Sequence, residues 1–185
     1  MDKHTVQVLV AAMNQTDHSL LDKMNIDSDV IVGNQCTFNS IEKFMYKSHN
    51  AVYLNFNERG VGLNRNNSLI RATGDICLFA DDDMRYVDNY VEKIESAFDE
   101  NPDADVIVFN LIEKNPTRYI IKKAHRVTWF NYLRYGTARI SIRLDKIKKN
   151  AIYFNQCFGG GTDYSHGEDN LFLTSCLKNK MKIYA

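Results

Sequence analysis

Short apolar runs alternate with polar, helix-spaced segments through the first 112 residues. Residues 5–11 (Thr-Val-Gln-Val-Leu-Val-Ala) are rich in β-branched side chains and predict a strand. Residues 28–33, 51–55 and 75–80 predict three more, and the almost unbroken apolar run at 104–112 predicts a fifth, covered on both faces. Between them, 40–48 and 63–72 have helical spacing and length. Asp88, Tyr90, Val91, Ile94 and Phe98 mark an amphipathic helix over 88–100, stopped by Asn101-Pro102. The second half is less regular. It predicts a short helix at 129–135, a strand at 137–142, a helical turn at 144–149, a helix opening at Gly167 and a last strand from Met181.

Strand–helix alternation of this kind builds an α/β domain with a mostly parallel central sheet and helices on both faces. Ligands bind such sheets at the carboxyl ends of the strands, near the point where strand order reverses. The rule puts Ala12, Met13 and Asn14, then Asn34 and Gln35, then Asp81, Asp82 and Asp83 on one rim. A chain of 185 residues suits a single domain over 1–185.

Net charge is zero, but its distribution is uneven. Residues 75–105 hold 11 acids against 2 Lys/Arg, and residues 113–150 hold 11 Lys/Arg against 2 acids. The first segment suits a cation and the second an anionic lipid or substrate; two solvated faces attracting each other explain the pattern as well. No apolar run approaches the roughly 18 residues of a membrane span. Residues 1–4 carry no apolar leader. Cys36, Cys77, Cys157 and Cys176 form no C-x-x-C pair, and reduced thiols in a cytoplasmic protein are expected.

Three local patterns carry chemistry. The run Leu78-Phe79-Ala80-Asp81-Asp82-Asp83 ends an apolar strand in three consecutive carboxylates. Adjacent like charges repel unless a cation offsets them, and hard carboxylate oxygens suit Mg2+ or Mn2+. A solvated acidic turn is the alternative. The glycine-containing turn at 58–62 leads into a helix bearing Arg65, a phosphate-friendly feature that is otherwise an ordinary surface arginine. Gly167-Glu168-Asp169 follows the glycine-rich loop 157–162. Its two acids complement a helix dipole, or one of them accepts a proton from an attacking hydroxyl.

The order strand–Asn14, strand–Asn34, G-x-x-R-N-x5-A-T-G-D-I-x-x-F-x-D-D-D over 62–83, then G-E-D at 167–169, resembles the family 2 glycosyltransferases. These are inverting enzymes of the GT-A fold, familiar from bacterial polysaccharide synthesis. The resemblance implies a Rossmann-like three-layer sandwich, with 1–112 as the nucleotide-sugar-binding half. Residues 113–185 would form the acceptor-side half, expected to be truncated at its C-terminal end. It also implies roles. Asn14 would lie beside the base and ribose, Arg65 beneath the nucleotide, and Asp81 near the ribose and the metal. Asp82 would fill the variable middle position of the D-x-D motif, and Asp83 would hold Mn2+ or Mg2+. Asp169 would be the catalytic base, with Glu168 as its orienting neighbour. Two departures stand out. Asn34 occupies the place of an aspartate that contacts the pyrimidine, and Ala11-Ala12-Met13-Asn14 lacks the family's common proline.

The function so implied is transfer of a sugar from a nucleotide-sugar donor, UDP-linked by preference, to a carbohydrate or lipid-linked sugar acceptor in cell-surface polysaccharide or glycoconjugate synthesis. His166 and Asp163 are candidate contacts to the diphosphate or the acceptor. The expected setting is the cytoplasm, with peripheral contact at the inner face of the membrane, and no nucleic acid as partner. Trp129 is a candidate for stacking on a sugar, or a core or interface residue. A nucleotidyltransferase is the alternative enzyme, but 11–16 has no lysine-containing phosphate loop. A receiver-type signalling domain would need acids after the first strand, and a domain that binds nucleotide sugar without turnover remains a third reading.

Overall fold

The computed structural model describes residues 4–113, 115–116 and 118–185; Met1, Asp2 and Lys3 of the leader reading lie outside them, as do Lys114 and Thr117. Nine strands form one sheet, numbered in chain order: β1 (Val6–Met13), β2 (Asp29–Gln35), β3 (Ser40–Tyr46), β4 (His49–Phe56), β5 (Ile76–Asp81), β6 (Val106–Val108), β7 (Arg126–Val127), β8 (Ile140–Arg143) and β9 (Ile183–Tyr184). Their order across the sheet is β3-β4-β2-β1-β5-β8-β6-β9-β7. The core β4-β2-β1-β5 is parallel throughout, and it reverses direction of growth at β1, between β2 and β5. That is the switch point where the sequence places the acidic rim.

Helices α1 (Leu20–Lys23) and α3 (Tyr90–Glu100) cover one face; α2 (Val61–Arg71), α4 (Leu144–Lys149) and α5 (Glu168–Lys178) cover the other. Alternate residues of β1 serve the two layers: Leu9 packs with Leu69 and Phe172, while Val8 and Val10 pack with Leu21 and Phe98. The α/β three-layer architecture expected from the alternation is therefore present. Among the described residues no helix is long and apolar enough to cross a membrane. All four cysteines are unpaired, and only Cys157 is exposed.

Several elements differ from the sequence expectation. Residues 40–48 form not a helix but edge strand β3, turning through Lys47 and Ser48 onto β4 (Tyr46 pairs with His49). Ile41, Phe44 and Met45 have helical spacing, yet Ile41 and Met45 are exposed, while Phe44 stacks on His18. An edge strand open on one side does not display clean two-residue periodicity. The run 104–112 yields only three strand residues, because the chain leaves the sheet after Val108 and Ile112 is almost fully exposed. Residues 129–135 form a turn and one 3-10 turn, Tyr132–Arg134, instead of an α-helix. Strand β8 starts only at Ile140, after a second 3-10 turn, Thr137–Arg139. It inserts antiparallel between β5 and β6, so both halves of the chain share one sheet.

An aromatic cluster joins the second layer to the sheet beneath the rim. Phe79 of β5 meets Phe154 and Phe172 edge-on at 5.0 and 5.5 Å, and Phe154 stacks on Phe172 at 4.4 Å. Geometries of this kind add about 0.5–1.5 kcal/mol per pair beyond area burial. Phe172→Ala is expected to lower unfolding free energy by about 3–5 kcal/mol in urea titration, and Phe172→Leu by clearly less.

Candidate active site

Strands β1 and β5 run side by side to the rim, with Ala11 paired to Asp81. Just past β1 the chain turns at Asn14, whose φ of 54° is left-handed, a conformation asparagine tolerates better than most residues. The Asn14 N–H donates to Gln35 O at 2.9 Å, and the Asn14 side chain is exposed. Asp82 bridges the two strand ends: its Oδ2 accepts from the Met13 N–H at 3.2 Å and from Gln15 Nε2 at 3.3 Å. The middle acid of the run thus fastens the loop after β1 to the loop after β5.

A buried amide chain backs this loop. Asn34 is fully buried; its Oδ1 accepts from the Gln15 N–H at 2.9 Å. Its Nδ2 donates to Gln15 O at 2.9 Å and to Asn55 Oδ1 at 2.7 Å. Asn55 Nδ2 in turn donates to Ser40 Oγ at 2.9 Å and Glu42 Oε1 at 2.7 Å. Asn34 therefore lies below the rim, with its oxygen and both its N–H groups engaged by the protein. Gln15 links Asn34 to Asp82, and a lone glutamine in a polar loop carries no signal of this in the sequence.

Arg65 holds the centre. Helix α2 begins where the Gly60 N–H donates to Gln35 Oε1 at 2.8 Å. It then passes so close to the 154–156 segment that a Cβ at Gly62 would lie 2.6 Å from Asn155 O. Asn66 pins that segment, donating to Phe154 O at 2.9 Å and accepting the Phe154 N–H at 2.8 Å. The Arg65 side chain, 6% exposed, then forks: Nη2 donates to Asp81 Oδ1 at 2.7 Å and Nη1 to Glu168 Oε1 at 3.0 Å. Its guanidinium carbon lies 5.5 Å from the Phe154 ring centroid, and Nε has no hydrogen-bond partner among the described residues. One arginine thus joins the acidic strand end to the acidic helix start.

Helix α5 starts after Gly167, whose φ of 104° suits a residue without Cβ. Glu168 is mostly buried against Arg65, while Asp169 is half-buried. Burial pushes the Asp169 carboxyl above the usual aspartate range, and the Glu168 charge pushes the same way. The Asn170 N–H, at 2.8 Å from Oδ1, and Arg65 oppose the shift. Gly136 lies beside the other carboxylate oxygen: a Cβ there would sit 3.5 Å from Oδ2.

Asp83 is exposed and has no hydrogen bond or ion pair among the described residues. Among those residues no group of three or more His, Cys, Asp or Glu side chains is arranged to hold a metal by itself. Asp163 and His166 are exposed on the loop before α5, His166 Nδ1 lying 2.7 Å from Ser165 Oγ. The glycine loop docks on α2 through a Val61 N–H to Gly160 O bond of 2.9 Å. A concavity of about 760 Å3 lies at the opposite ends of the strands, lined in part by His4, Asp75, Arg143 and Lys148. Its lining is near charge balance, and it is remote from the rim.

Two outcomes follow from this geometry. Asn34→Asp supplies the residue type expected at this place but removes both buried donors and turns a carboxylate toward two carbonyl oxygens. It is expected to destabilise the fold by at least about 2 kcal/mol in urea titration. The raised folded-state pKa of Asp169 means that its ionisation works against folding. Its contribution is favourable below the unfolded value and is lost as pH rises through the folded value. Asp169→Asn is therefore expected to melt higher than the parent at neutral pH, with the difference disappearing in acid.

A family model described as Glycosyl transferase family 2 matches residues 13–162, a stretch containing Asn14, Arg65, Asp81, Asp82 and Asp83 and ending before Glu168. No curated protein matches the sequence. Among solved structures, S. aureus TarS 1-349 is similar at a TM-score of 0.68 and 19% identity, covering 97% of this chain and 57% of that one. TarS 1-349 in complex with UDP-GlcNAc gives 0.70 and 20%, covering 97% and 55%. Its complex with UDP gives 0.68 and 20%, covering 97% and 57%. The chain spans little more than half the length of these proteins, and at such identities the likeness is one of fold. With most of its length matched by the family model, the chain belongs to glycosyl transferase family 2.

Proposed function

We propose that this chain is the donor-binding and catalytic domain of an inverting glycosyltransferase that uses a UDP-sugar. The observation that carries the reading is the Arg65 fork, which brings Asp81 at the end of β5 and Glu168, next to Asp169, onto one guanidinium. Donor-side and base-side carboxylates then border one cleft at the switch point of the sheet. Family membership and the fold shared with TarS, whose structures include complexes with UDP and UDP-GlcNAc, support the same donor class.

In this reading Asn14 and Gln15 border the nucleoside at the end of β1. Asn34 acts through Gln15 as a positioning residue, which replaces the direct base contact expected from its place in the sequence. Asp81, with Oδ1 held by Arg65, turns its remaining oxygen to the ribose or a cation. The unpartnered carboxylate of Asp83 fits a hard divalent ion of the kind held by one or two protein carboxylates together with substrate phosphates. Mg2+ or Mn2+, when bound, supplies positive charge against the departing diphosphate. Asp169 takes the proton of the acceptor hydroxyl as that oxygen bonds to the anomeric carbon. The bond from that carbon to the diphosphate oxygen breaks, and UDP leaves from the opposite face. A carboxyl held above its ordinary pKa is a stronger base once ionised, which suits this task. Asp163 and His166, exposed beside α5, are positioned for the acceptor or diphosphate.

The test is the thermal unfolding midpoint with UDP, GDP, CDP or AMP, each with and without Mn2+. At 100 times its dissociation constant UDP should stabilise the fold by about 2.7 kcal/mol, a rise of roughly 5–10 °C. The rise should need Mn2+ and disappear in Asp83→Ala. No shift with any nucleotide in a folded sample rejects the donor site. In a transfer assay Asp169→Asn should retain UDP binding and lose about 10²–10⁴-fold in rate. The parent's rate should fall on acidification with an apparent pKa above the ordinary aspartate value. An unchanged rate in Asp169→Asn rejects the assignment of the base.

A further inference from the structure

The turn that follows β7 presents large apolar side chains to solvent. Phe130 is 97% exposed, Leu133 64% and Trp129 50%. The turn is nevertheless tied down from below. Asn131 Oδ1 accepts the Thr128 N–H at 2.7 Å, Asn131 Nδ2 donates to Arg126 O at 3.2 Å, and the Tyr132 N–H donates to Thr128 O at 3.1 Å. Trp129 also meets the Tyr132 ring edge-on at 5.7 Å. A hydrogen-bonded turn holding its apolar residues outward costs free energy in water and calls for a covering surface.

The charges around it say which surface. Residues 114–144 contain eight Lys/Arg and no Asp or Glu. Arg139 and Arg143 are spent on backbone carbonyls within the fold. Lys122, Lys123, Arg126 and Arg134 are exposed, and none has a carboxylate partner among the described residues. Arg126 and Arg134 lie over the rings of Tyr184 and Tyr119 at 4.7 and 4.9 Å. An aromatic tip flanked by unpaired cations matches the headgroup layer of an anionic bilayer, where tryptophan settles at the boundary and cations meet lipid phosphates.

We propose that the turn at 129–133 is a membrane-docking wedge. Trp129, Phe130 and Leu133 enter the headgroup layer of an anionic lipid surface, and Lys122, Lys123, Arg126 and Arg134 engage its phosphates. The wedge lies at the edge of the sheet opposite β3, and the chain runs from it through Arg134 and Tyr135 to Gly136, beside Asp169, before entering the second 3-10 turn. Docking there brings Gly136 and the neighbouring Asp169 toward the lipid surface; its bearing on transfer, unlike the docking itself, rests on the proposed catalytic reading.

Trp129 is the only tryptophan in the chain, so its emission reports on the wedge alone. The chain is titrated with vesicles of phosphatidylcholine alone and of phosphatidylcholine with phosphatidylglycerol, reading emission and co-sedimentation. A blue shift and co-sedimentation with the anionic vesicles, weakened at high salt, are expected. The Phe130→Ser/Leu133→Ser variant, which keeps the reporter, should partition at least about tenfold more weakly, and Arg126→Gln/Arg134→Gln should weaken binding to anionic vesicles. Both variants should keep the parent's melting temperature and its response to UDP, which separates failure here from failure of the donor site. An unchanged emission with all vesicles overturns the proposal, as does binding equal in the parent and the serine variant. A blue shift that instead grows with protein concentration in the absence of lipid overturns it in favour of a second copy of the chain.

Discussion

The site depends on a single guanidinium held between two acids, one of them 103 residues further along the sequence. Arg65 is nearly buried, and its Nε finds no partner among the described residues, so its charge is sustained by Asp81 and Glu168 together. Burying a cation costs several kcal/mol, and the arrangement holds only because both forks are filled with short, charge-assisted bonds. The surroundings enforce it. Gly62 lets α2 press against the 154–156 segment, Asn66 clamps that segment, and Phe154 packs both against the guanidinium and within the Phe79–Phe172 cluster. Core packing and site electrostatics are thus one construction.

Around this pivot the rim separates two kinds of carboxylate. Asp81, Asp82 and Glu168 are engaged by the protein: two hold Arg65, and the third closes the loop after β1. Asp83 and Asp169 keep oxygen atoms open, one in water and one in a half-buried recess facing Gly136. The engaged acids give the rim its shape, and in the proposed reading the open ones are those that do chemistry. The excess of negative charge at 75–105 stands against the excess of positive charge at 113–150, so the two segments give the surface a polarity.

Much of this is legible in the sequence, and what is hidden has physical causes. The parallel core shows itself because strands buried on both faces must be mostly apolar, as in 5–11, interrupted only by Gln7 after its first residue, and 76–80. The acidic run and the Gly-Glu-Asp turn declare themselves by charge placed at element ends. Strand β3 is misread because an exposed edge tolerates Ile41 and Met45 in a spacing that mimics a helix. The insertion of β8 between β5 and β6 is a long-range pairing that no local pattern encodes. Asn34 has the place of a base-reading residue, but its burial and its hold on Gln15 and Asn55 emerge only when three strand ends are assembled. In the same way Arg65 looks like a surface arginine until α5 brings Glu168 to it.

The most direct test of this account is a double-mutant cycle in urea between Arg65→Met and Glu168→Gln. If Arg65 is the shared pivot of strand end and helix start, the two changes must be strongly non-additive. A coupling energy of at least about 1 kcal/mol is expected, with the Glu168 substitution nearly harmless once Arg65 is gone. Additivity within about 0.5 kcal/mol would contradict the account, because it would mean that the acidic strand end and the helix bearing Asp169 are held in place independently.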